Sequence, residues 1–388
     1  MPRVSKDVVI AGIGETTVGK LPGMSSLQIQ AQAVHHALKD AGVSIKEVDG
    51  LINLDPYSTP NSMFSTTVAD YLGIKASFCS TVDVGGTVSI MTMLQQAVWA
   101  IESGHCNIAV CVFGENMNTS RPPSSHGLVV NNLVGNEEWE EPFGVQGFVV
   151  PYALVAQRYK SEFEAQDTDF GSVAVVTRAH ALLNPNAVMK KPMSMDDYLA
   201  SRMISSPIRL LDSSLPVDGG GAIVLMSKDR ARKMKARMVG IASMAMRQTH
   251  NSVAGIVDIA NYGMRDAGRD AFESAGLGPQ DMSLALLHDA YTVSVLITLE
   301  ALGYAEPGAG GRYVKSGAAS LGGRCPLNPH GGLLSQGHVG GMLHLVEAVR
   351  QLRYEAGARQ VDNARYAVAS GNGGIFSVCG VTIFERLQ

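Results

Sequence analysis

A stretch near the N-terminus of the chain recurs near residue 270, and this internal similarity constrains the fold more than any other feature. Residues 37–57 align without gaps on residues 271–291, at a constant offset of 234 positions. Each copy holds a helix end closed by a glycine, Gly42 or Gly276, and a short apolar segment that ends at an aspartate. Solenoid repeats are only about 20 to 50 residues long. The similarity therefore predicts a duplicated α/β half.

Apolar runs and turn signals extend this prediction over the whole chain. We expect a first half at residues 1–246 and a second at 247–388, each with a mostly buried mixed sheet. From about residue 116 to 202 the pattern changes to a polar, Pro- and Gly-containing segment followed by two helical stretches. Long insertions of this kind carry substrate-contacting loops, so we predict a loop or lid domain there.

Composition narrows the class of protein. Apolar residues make up 46% of the chain, charged residues 17%, and there are 42 glycines, which is typical of a compact α/β enzyme with many tight turns. The net charge of −4 gives no basic footprint for nucleic acid or an anionic membrane. Five scattered cysteines without metal-ligand spacing indicate a reducing compartment, no disulfide framework and no metal site. With no signal peptide and no apolar run of about 18 residues, we expect a cytoplasmic protein.

The strongest local motif is a glycine-rich stretch, 328–342, that runs into an apolar-periodic helix. Glycines at 331, 332 and 337 allow backbone to approach a ligand closely, and a helix start directs unpaired N–H groups at it. His338 is expected at that helix start, where the dipole disfavours the imidazolium. It would therefore be neutral near pH 7 and competent as a general base.

These residues and others carry a resemblance. Asn328-Pro-His-Gly-Gly-Leu with Gly337-His338 resembles the C-terminal signature of thiolases, and His288-Asp-Ala-Tyr-Thr292 resembles a block of the sterol-carrier-protein branch. Further matches lie upstream, and all of them occur in family order: Asn184-Pro185, Ser206-Pro-Ile-Arg209 and Asp218-Gly-Gly-Gly221. The resemblance implies a duplicated thiolase-like fold, with two similar α/β halves layered α-β-α-β-α and an inserted loop domain.

The resemblance also implies roles for single residues. A thiolase uses one Cys as nucleophile, a second Cys for proton transfer at the substrate α-carbon, and His or Asn side chains for the thioester oxyanion. His338 matches the histidine that activates the nucleophile, and His288 matches the oxyanion position. Asn328 and the neighbouring glycines match the turn that lines the substrate site.

Both thiols are missing. Counting without gaps from the Phe113-Gly-Glu-Asn-Met117 block places Thr87 in the slot of the nucleophile, and the second Cys turn reads Gly371-Asn372-Gly373. A Thr hydroxyl without an adjacent amine is a poor nucleophile. Cys79, Cys106, Cys111 and Cys379 lie in or beside predicted strands, where a free Cys is usually a small buried hydrophobe, while Cys325 is close enough to Asn328 in sequence to reach the site.

The chain thus resembles a branch of thiolase-like lipid-transfer proteins, some of which are retro-aldolases acting on β-hydroxyacyl-CoA thioesters of steroids. Retro-aldol cleavage needs a base and an oxyanion hole, and no covalent acyl-enzyme. Tyr291 adds a candidate proton-transfer hydroxyl beside His288. One departure is that the steroid aldolases of this branch carry Tyr near the His338 position.

Two alternatives remain open at this stage. One is an acyl-transferring thiolase with a displaced nucleophile, and the other is a non-catalytic acyl-CoA-binding subunit. The resemblance implies no cofactor beyond the coenzyme A that carries the substrate. It also implies a homodimer that pairs through the strand at 79–84, and a small zinc-ribbon plus OB-fold protein as a candidate partner.

Overall fold

The computed structural model describes residues 7–120, 136–145, 147–260 and 262–387. Its first segment alternates strands and helices, as the apolar runs predict. The strands are β1 (Val8–Glu15), β2 (Gly50–Asn53), β3 (Phe78–Thr81) and β4 (Ile108–Asn116), and the helices are α1 (Ser26–Ala41), α2 (Phe64–Leu72) and α3 (Gly86–Glu102).

Local sequence explains the ends of these helices. Ser25 and Gln28 form a reciprocal capping box at the start of α1, and Gly42 closes the helix in the left-handed conformation that glycine adopts without strain. Strand β3 is shorter than the apolar run from 76 to 84 predicts.

The insertion follows β4, and its residues 121–135 and 146 lie outside the described part. Its elements are α4 (Asn136–Trp139), α5 (Val149–Phe163), α6 (Asp167–Ala181), α7 (Met195–Leu199), β5 (Met203–Ser205) and β6 (Ile208–Arg209). The chain then returns to the main sheet. The remaining elements are β7 (Asp218–Ser227), α8 (Lys228–Lys233), β8 (Val239–Gln248), α9 (Met264–Ala275), β9 (Leu284–Leu286), α10 (Thr292–Ala301), α11 (Gly310–Lys315), α12 (Met342–Leu352), β10 (Tyr366–Gly373) and β11 (Val378–Arg386).

Within the described residues, nine strands are connected in the order β3-β2-β4-β7-β1-β8-β11-β10-β9. The order is symmetrical about the β1–β8 contact, which consists of two residue pairs, Val9 with Gly240 and Ile10 with Val239. On each side a parallel pair, β2–β4 or β9–β10, is followed by two antiparallel pairings. In the second half, the parallel bridge between Ala285 and Leu327 is the counterpart of the parallel β2–β3 pairing of the first half.

The 234-residue offset is confirmed element by element. Helices α1 and α9 end at equivalent positions and both are closed by a left-handed glycine, Gly42 or Gly276. The short helical turns Ile45–Glu47 and Pro279–Asp281 correspond, and strands β2 and β9 begin at equivalent residues. Asp55 and Asp289 therefore hold equivalent places after their strands.

The layers follow from which helices pack on which strands. Helix α1 packs on β1, β4 and β7, and α9 packs on β8 and β11. Helices α3 and α12 contact strands of both halves, including β4 or β7 on one side and β10 and β11 on the other. The two halves thus enclose a central helical layer, as the thiolase-like architecture predicts.

The expected domain boundary between residues 246 and 247 falls inside β8. Because β8 is the counterpart of β1, topology places the start of the second half near Val239. No helix among the described residues is long and apolar enough to cross a membrane.

Candidate active site

The glycine-rich stretch is held in place by Asn328, which adopts a left-handed backbone conformation (φ 46°). Its amide nitrogen donates to the Leu287 carbonyl at 2.9 Å, and its amide oxygen accepts from the Leu287 N–H at 2.8 Å. Asn328 is fully buried. Both amide atoms therefore anchor the stretch to the end of β9, a use that the sequence motif does not indicate.

Residues Gly332–Gln336 form one π-helical turn around the carboxylate of Asp289. Asp289, which is fully buried, accepts from the Leu333 N–H at 2.8 Å and from the Leu334 N–H at 3.3 Å. A Cβ at Gly332 would collide with this carboxylate. The turn thus needs glycine for its packing on Asp289.

The neighbouring predicted glycines also pack against protein. A Cβ at Gly331 would come within 2.6 Å of Ala181 on α6, and one at Gly337 would come within 2.7 Å of Val217 before β7. We expected the backbone at these glycines to approach a ligand closely. It approaches other protein elements instead.

His338 does not lie at a helix start as expected. Helix α12 begins at Met342 and its cap is Gly341, because left-handed glycines at 340 and 341 delay the helix. The His338 N–H instead donates to the Leu215 carbonyl at 2.9 Å. Burial lowers the pKa of His338 to about 4 and His344 adds to this effect, while the nearby Asp289 carboxylate opposes it. The imidazole is neutral near pH 7 through desolvation and not through a helix dipole.

His288 faces Thr87. The Thr87 Oγ1 lies 2.9 Å from His288 Nδ1, and it accepts a hydrogen bond from the Asn372 N–H at 2.8 Å. The backbone N–H of His288 donates to Ser370 Oγ. Burial lowers the pKa of His288 well below its usual value, and the nearby His338 lowers it further. His288 and His338 are thus close enough to interact electrostatically, and Thr87 is in direct contact with His288.

The two positions that the resemblance assigns to thiols face each other. A Cβ at Gly371 would come within 3.1 Å of Thr87 Oγ1. Residues 371–373, expected as a turn, form the end of β10, and the turn proper follows at 374–377 because the ladder with β11 extends to Gly373. Thr87 itself is buried in the first turn of α3, with 3% of its surface exposed.

Asn372 differs from its neighbours in having unsatisfied polar atoms. The residue is 2% exposed, and neither amide atom has a hydrogen-bond partner in the described part of the chain. Buried polar atoms are nearly always paired, so an unpaired amide in a candidate site indicates a place for a ligand or a water molecule.

Tyr291 stacks on Tyr152, with ring centroids 4.3 Å apart. Tyr152 belongs to α5 of the insertion, and its hydroxyl donates to the Gly374 carbonyl at 3.4 Å. Burial raises the pKa of both phenols, so both are neutral near pH 7. No sequence signal pairs Tyr152 with Tyr291, since only the tertiary structure brings α5 against the second half.

A second histidine pair lies behind the site. His344 Nε2 contacts the Leu287 carbonyl at 3.0 Å and Asp289 at 3.3 Å, and its Nδ1 lies 3.3 Å from His330 Nε2. A chain of contacts thus runs from Asp289 through His344 to His330. His330 belongs to the glycine-rich stretch 328–342. The sequence singles out His344 only by its place on the buried face of α12.

Four of the five thiols lie in or beside strands, as predicted, and Cys379 pairs with Asn372 across the β10–β11 ladder. Cys79 is in β3, Cys111 in β4, Cys379 in β11, and Cys106 just before β4. Burial raises the pKa of Cys325 to about 12, and this thiol interacts with Tyr304. Burial also raises the pKa of the other four thiols, so none is activated.

Comparisons with known proteins agree with the fold. The family described as thiolase C-terminal domain-like matches residues 245–386. The steroid side-chain-cleaving aldolase of Thermomonospora curvata is 34% identical over 377 residues, which cover 94% of this chain and 95% of that protein. The 17-hydroxy-3-oxo-4-pregnene-20-carboxyl-CoA lyase of Mycobacterium tuberculosis is also 34% identical, over 90% of this chain and 92% of its own.

A solved structure described as the Ltp2-ChsH2(DUF35) aldolase superposes with a TM-score of 0.89 at 30% identity, over 99% of both chains. The prediction of a thiolase-superfamily enzyme that acts on acyl-CoA thioesters is confirmed by these relatives. The chain belongs to the thiolase superfamily, in the branch of sterol-carrier-protein-type thiolases and steroid side-chain-cleaving aldolases.

Proposed function

We propose that this enzyme cleaves β-hydroxyacyl-CoA thioesters by a retro-aldol reaction that forms no acyl-enzyme. The observation that carries the proposal is the pair of facing positions Thr87 and Gly371, which hold no sulfur although a thiolase needs a thiol at each. Imidazoles and neutral donors remain around the same point. Such a site suits base catalysis and oxyanion stabilisation.

The reaction follows from the protonation states. Neutral His338 accepts the proton of the β-hydroxyl, the Cα–Cβ bond breaks, and the β-carbon leaves as a carbonyl product. The bonding electrons move into the thioester, whose oxygen becomes an enolate. Protonation at Cα then yields the shortened acyl-CoA. Coenzyme A serves as the carrier of the acyl group, and the proposed steps draw on no further cofactor.

His288 is proposed to stabilise the enolate oxygen. The Thr87 hydroxyl has one proton and two acceptors within reach, His288 Nδ1 and the Asn372 carbonyl. The proposal requires the arrangement in which it donates to Nδ1, so that the imidazole carries its proton on Nε2, which can then donate to the oxyanion. Asn372, with its unpaired amide, is a further candidate donor. Tyr291 is proposed for proton transfer, since its hydroxyl is protonated near pH 7 and has no partner among the described residues. Asn328, Gly331, Gly332, Gly337 and Gly373 shape the site.

The proposal is tested with His338→Ala and five single Cys→Ala variants. A positioned general base contributes about 100- to 10,000-fold, so His338→Ala should lose activity by that factor while each Cys→Ala variant retains most of it. Substrates are β-hydroxyacyl-CoA thioesters with short, branched and steroid-like acyl groups. His105→Ala, an exposed histidine, is the control.

Intact-protein mass spectrometry after incubation with the same thioesters should find no acyl adduct. An adduct on Cys325 or Thr87 would instead establish an acyl-transferring thiolase with a displaced nucleophile. Binding of coenzyme A without turnover of any thioester would indicate a non-catalytic acyl-CoA-binding subunit.

We further propose a homodimer that pairs through β3. This strand is the outer strand of the sheet on its side, and an unprotected strand edge favours pairing with a second copy. Light scattering should give about twice the chain mass of 41.0 kDa. A particle of the single-chain mass across the concentration range would contradict the dimer.

A partner and a location complete the proposal. The related aldolase structure contains a DUF35 chain, which supports a small zinc-ribbon plus OB-fold partner for this enzyme too. Five unpaired cysteines support a reducing, cytoplasmic location.

A further inference from the structure

A cavity of about 180 Å³ lies beside the candidate active site. One wall is the segment 213–216, which contacts the active-site loop at Ser213–Tyr291 and His338 at Pro216. Another wall is the turn that precedes His338, through Leu334 and Ser335. The cavity and the active-site residues Tyr291 and His338 therefore lie against the same backbone segment, 213–216.

Arg178, on α6, is a charged residue in this mainly apolar lining. Its side chain donates from Nε to Ser335 Oγ at 3.1 Å and from Nη1 to the Lys191 carbonyl at 3.2 Å. Guanidinium has five N–H donors, so three remain without a protein acceptor among the described residues. Arg178 is nevertheless only 7% exposed.

Other buried arginines of the described chain are paired with carboxylates. Arg359, which is 6% exposed, contacts Glu347 at 2.9 Å, and Arg353, whose side chain is 3% exposed, contacts Asp40 at 2.6 Å. The described partners of Arg178 are a hydroxyl and a carbonyl, and no carboxylate is among them. An unpaired buried cation is costly, and an anion bound in the adjoining cavity would offset that cost.

A second polar group in the same cavity lacks a partner. The hydroxyl of Ser213 is enclosed and forms no hydrogen bond with the residues that the structure describes. No acidic side chain is among the described residues that line the cavity. A guanidinium fork and a hydroxyl, set in apolar walls, are donors suited to a carboxylate or phosphate group.

We propose that this cavity binds an anionic oxygen group of the substrate through Arg178 and Ser213. The inference rests on the proposed function, because an acyl-CoA thioester supplies such a group from either of two sources. One source is a free carboxylate on the acyl chain, and the other is the 3′-phosphate of coenzyme A.

Titration calorimetry with four probes separates these sources. The first pair is the pantetheine thioester of succinate and that of its monomethyl ester, and the second pair is coenzyme A and 3′-dephospho-coenzyme A. The wild type should prefer the more charged member of at least one pair. Arg178→Met should weaken binding of that member by about 10- to 100-fold, as expected for a charge-assisted hydrogen bond, and leave the other member unchanged.

Controls keep the result interpretable. Arg178→Lys retains the charge and should keep a reduced preference, while Ser335→Ala removes an internal contact of Arg178 and should keep the full preference. Equal wild-type binding within both pairs, or an unchanged preference in folded Arg178→Met, would overturn the inference. Because the readout is binding, the preference can hold even when turnover fails, so failure of the proposed reaction is recognised separately.

Discussion

At the scale of single residues, Thr87 takes a role different from that of the residue it replaces. Its hydroxyl joins His288 Nδ1, the Asn372 N–H and the Asn372 carbonyl, so it fixes the imidazole against the end of β10. A hydroxyl in this place cannot attack a thioester effectively near neutral pH. It can, however, set which nitrogen of His288 carries the proton.

Thr87→Val should therefore lower kcat by about 5- to 100-fold, the cost of a lost buried hydrogen bond, with a smaller change in KM. The isosteric side chain preserves packing against Gly341. Thr87→Ser restores the hydroxyl and should recover most of kcat. Equal losses in Thr87→Val and Thr87→Ser, measured by steady-state kinetics on proteins with matched melting temperatures, would argue for a packing role only.

At the scale of elements, the π-helical turn 332–336 depends on Asp289. The carboxylate occupies the space where a Cβ at residue 332 would lie, and Gly332 has φ 63°. The same carboxylate is close to His338 and opposes the lowering of its pKa. The turn thus connects fold stability to the position of the proposed base.

Gly332→Ala should destabilise the protein by about 2 to 4 kcal/mol, from backbone strain and steric overlap together. Gly276→Ala is the matched control, since Gly276 also has a left-handed conformation but open space around it. It should cost about 1 to 2 kcal/mol from the backbone alone and leave activity intact. Urea unfolding and kcat of both variants test this, and equal effects in the two would contradict the steric argument.

At the scale of the whole molecule, buried histidines make folding sensitive to acid. Burial lowers the pKa of His288, His330 and His338 in the folded protein, to about 4 for His338. In the unfolded chain each histidine titrates near pH 6.5, at its ordinary value. Unfolding below that pH therefore takes up protons.

Stability should thus be full above about pH 6.5 and fall towards pH 4, by up to about 1.4 kcal/mol per pH unit for each such histidine. His330→Gln should flatten this dependence, whereas His105→Gln, at an exposed site, should not. Urea unfolding at pH values between about 4.5 and 7.5, on both sides of the ordinary histidine pKa near 6.5, measures how the free energy of unfolding depends on pH. A slope that is the same in wild type and His330→Gln would contradict the assignment.

Much of the architecture could be predicted from sequence because its signals are local. Apolar runs, the capping box at Ser25 and the left-handed glycines at 42 and 276 act within a few residues of where they stand. The 234-residue repeat predicts the duplication, and the motifs around His338 and His288 predict which residues form the candidate site. These features depend on neighbours in the chain, so the chain alone determines them.

Tertiary structure decided what each polar group faces. The Asn328 side chain is hydrogen-bonded to the Leu287 backbone. Desolvation, and not the expected helix dipole, lowers the pKa of His338. Helix α5 places Tyr152 against Tyr291. Arg178 has no local pattern that separates it from an ordinary paired arginine. Hydrogen bonding, burial and ion pairing act between segments far apart in sequence, so only the packed molecule fixes which groups are satisfied and which remain free to bind a substrate.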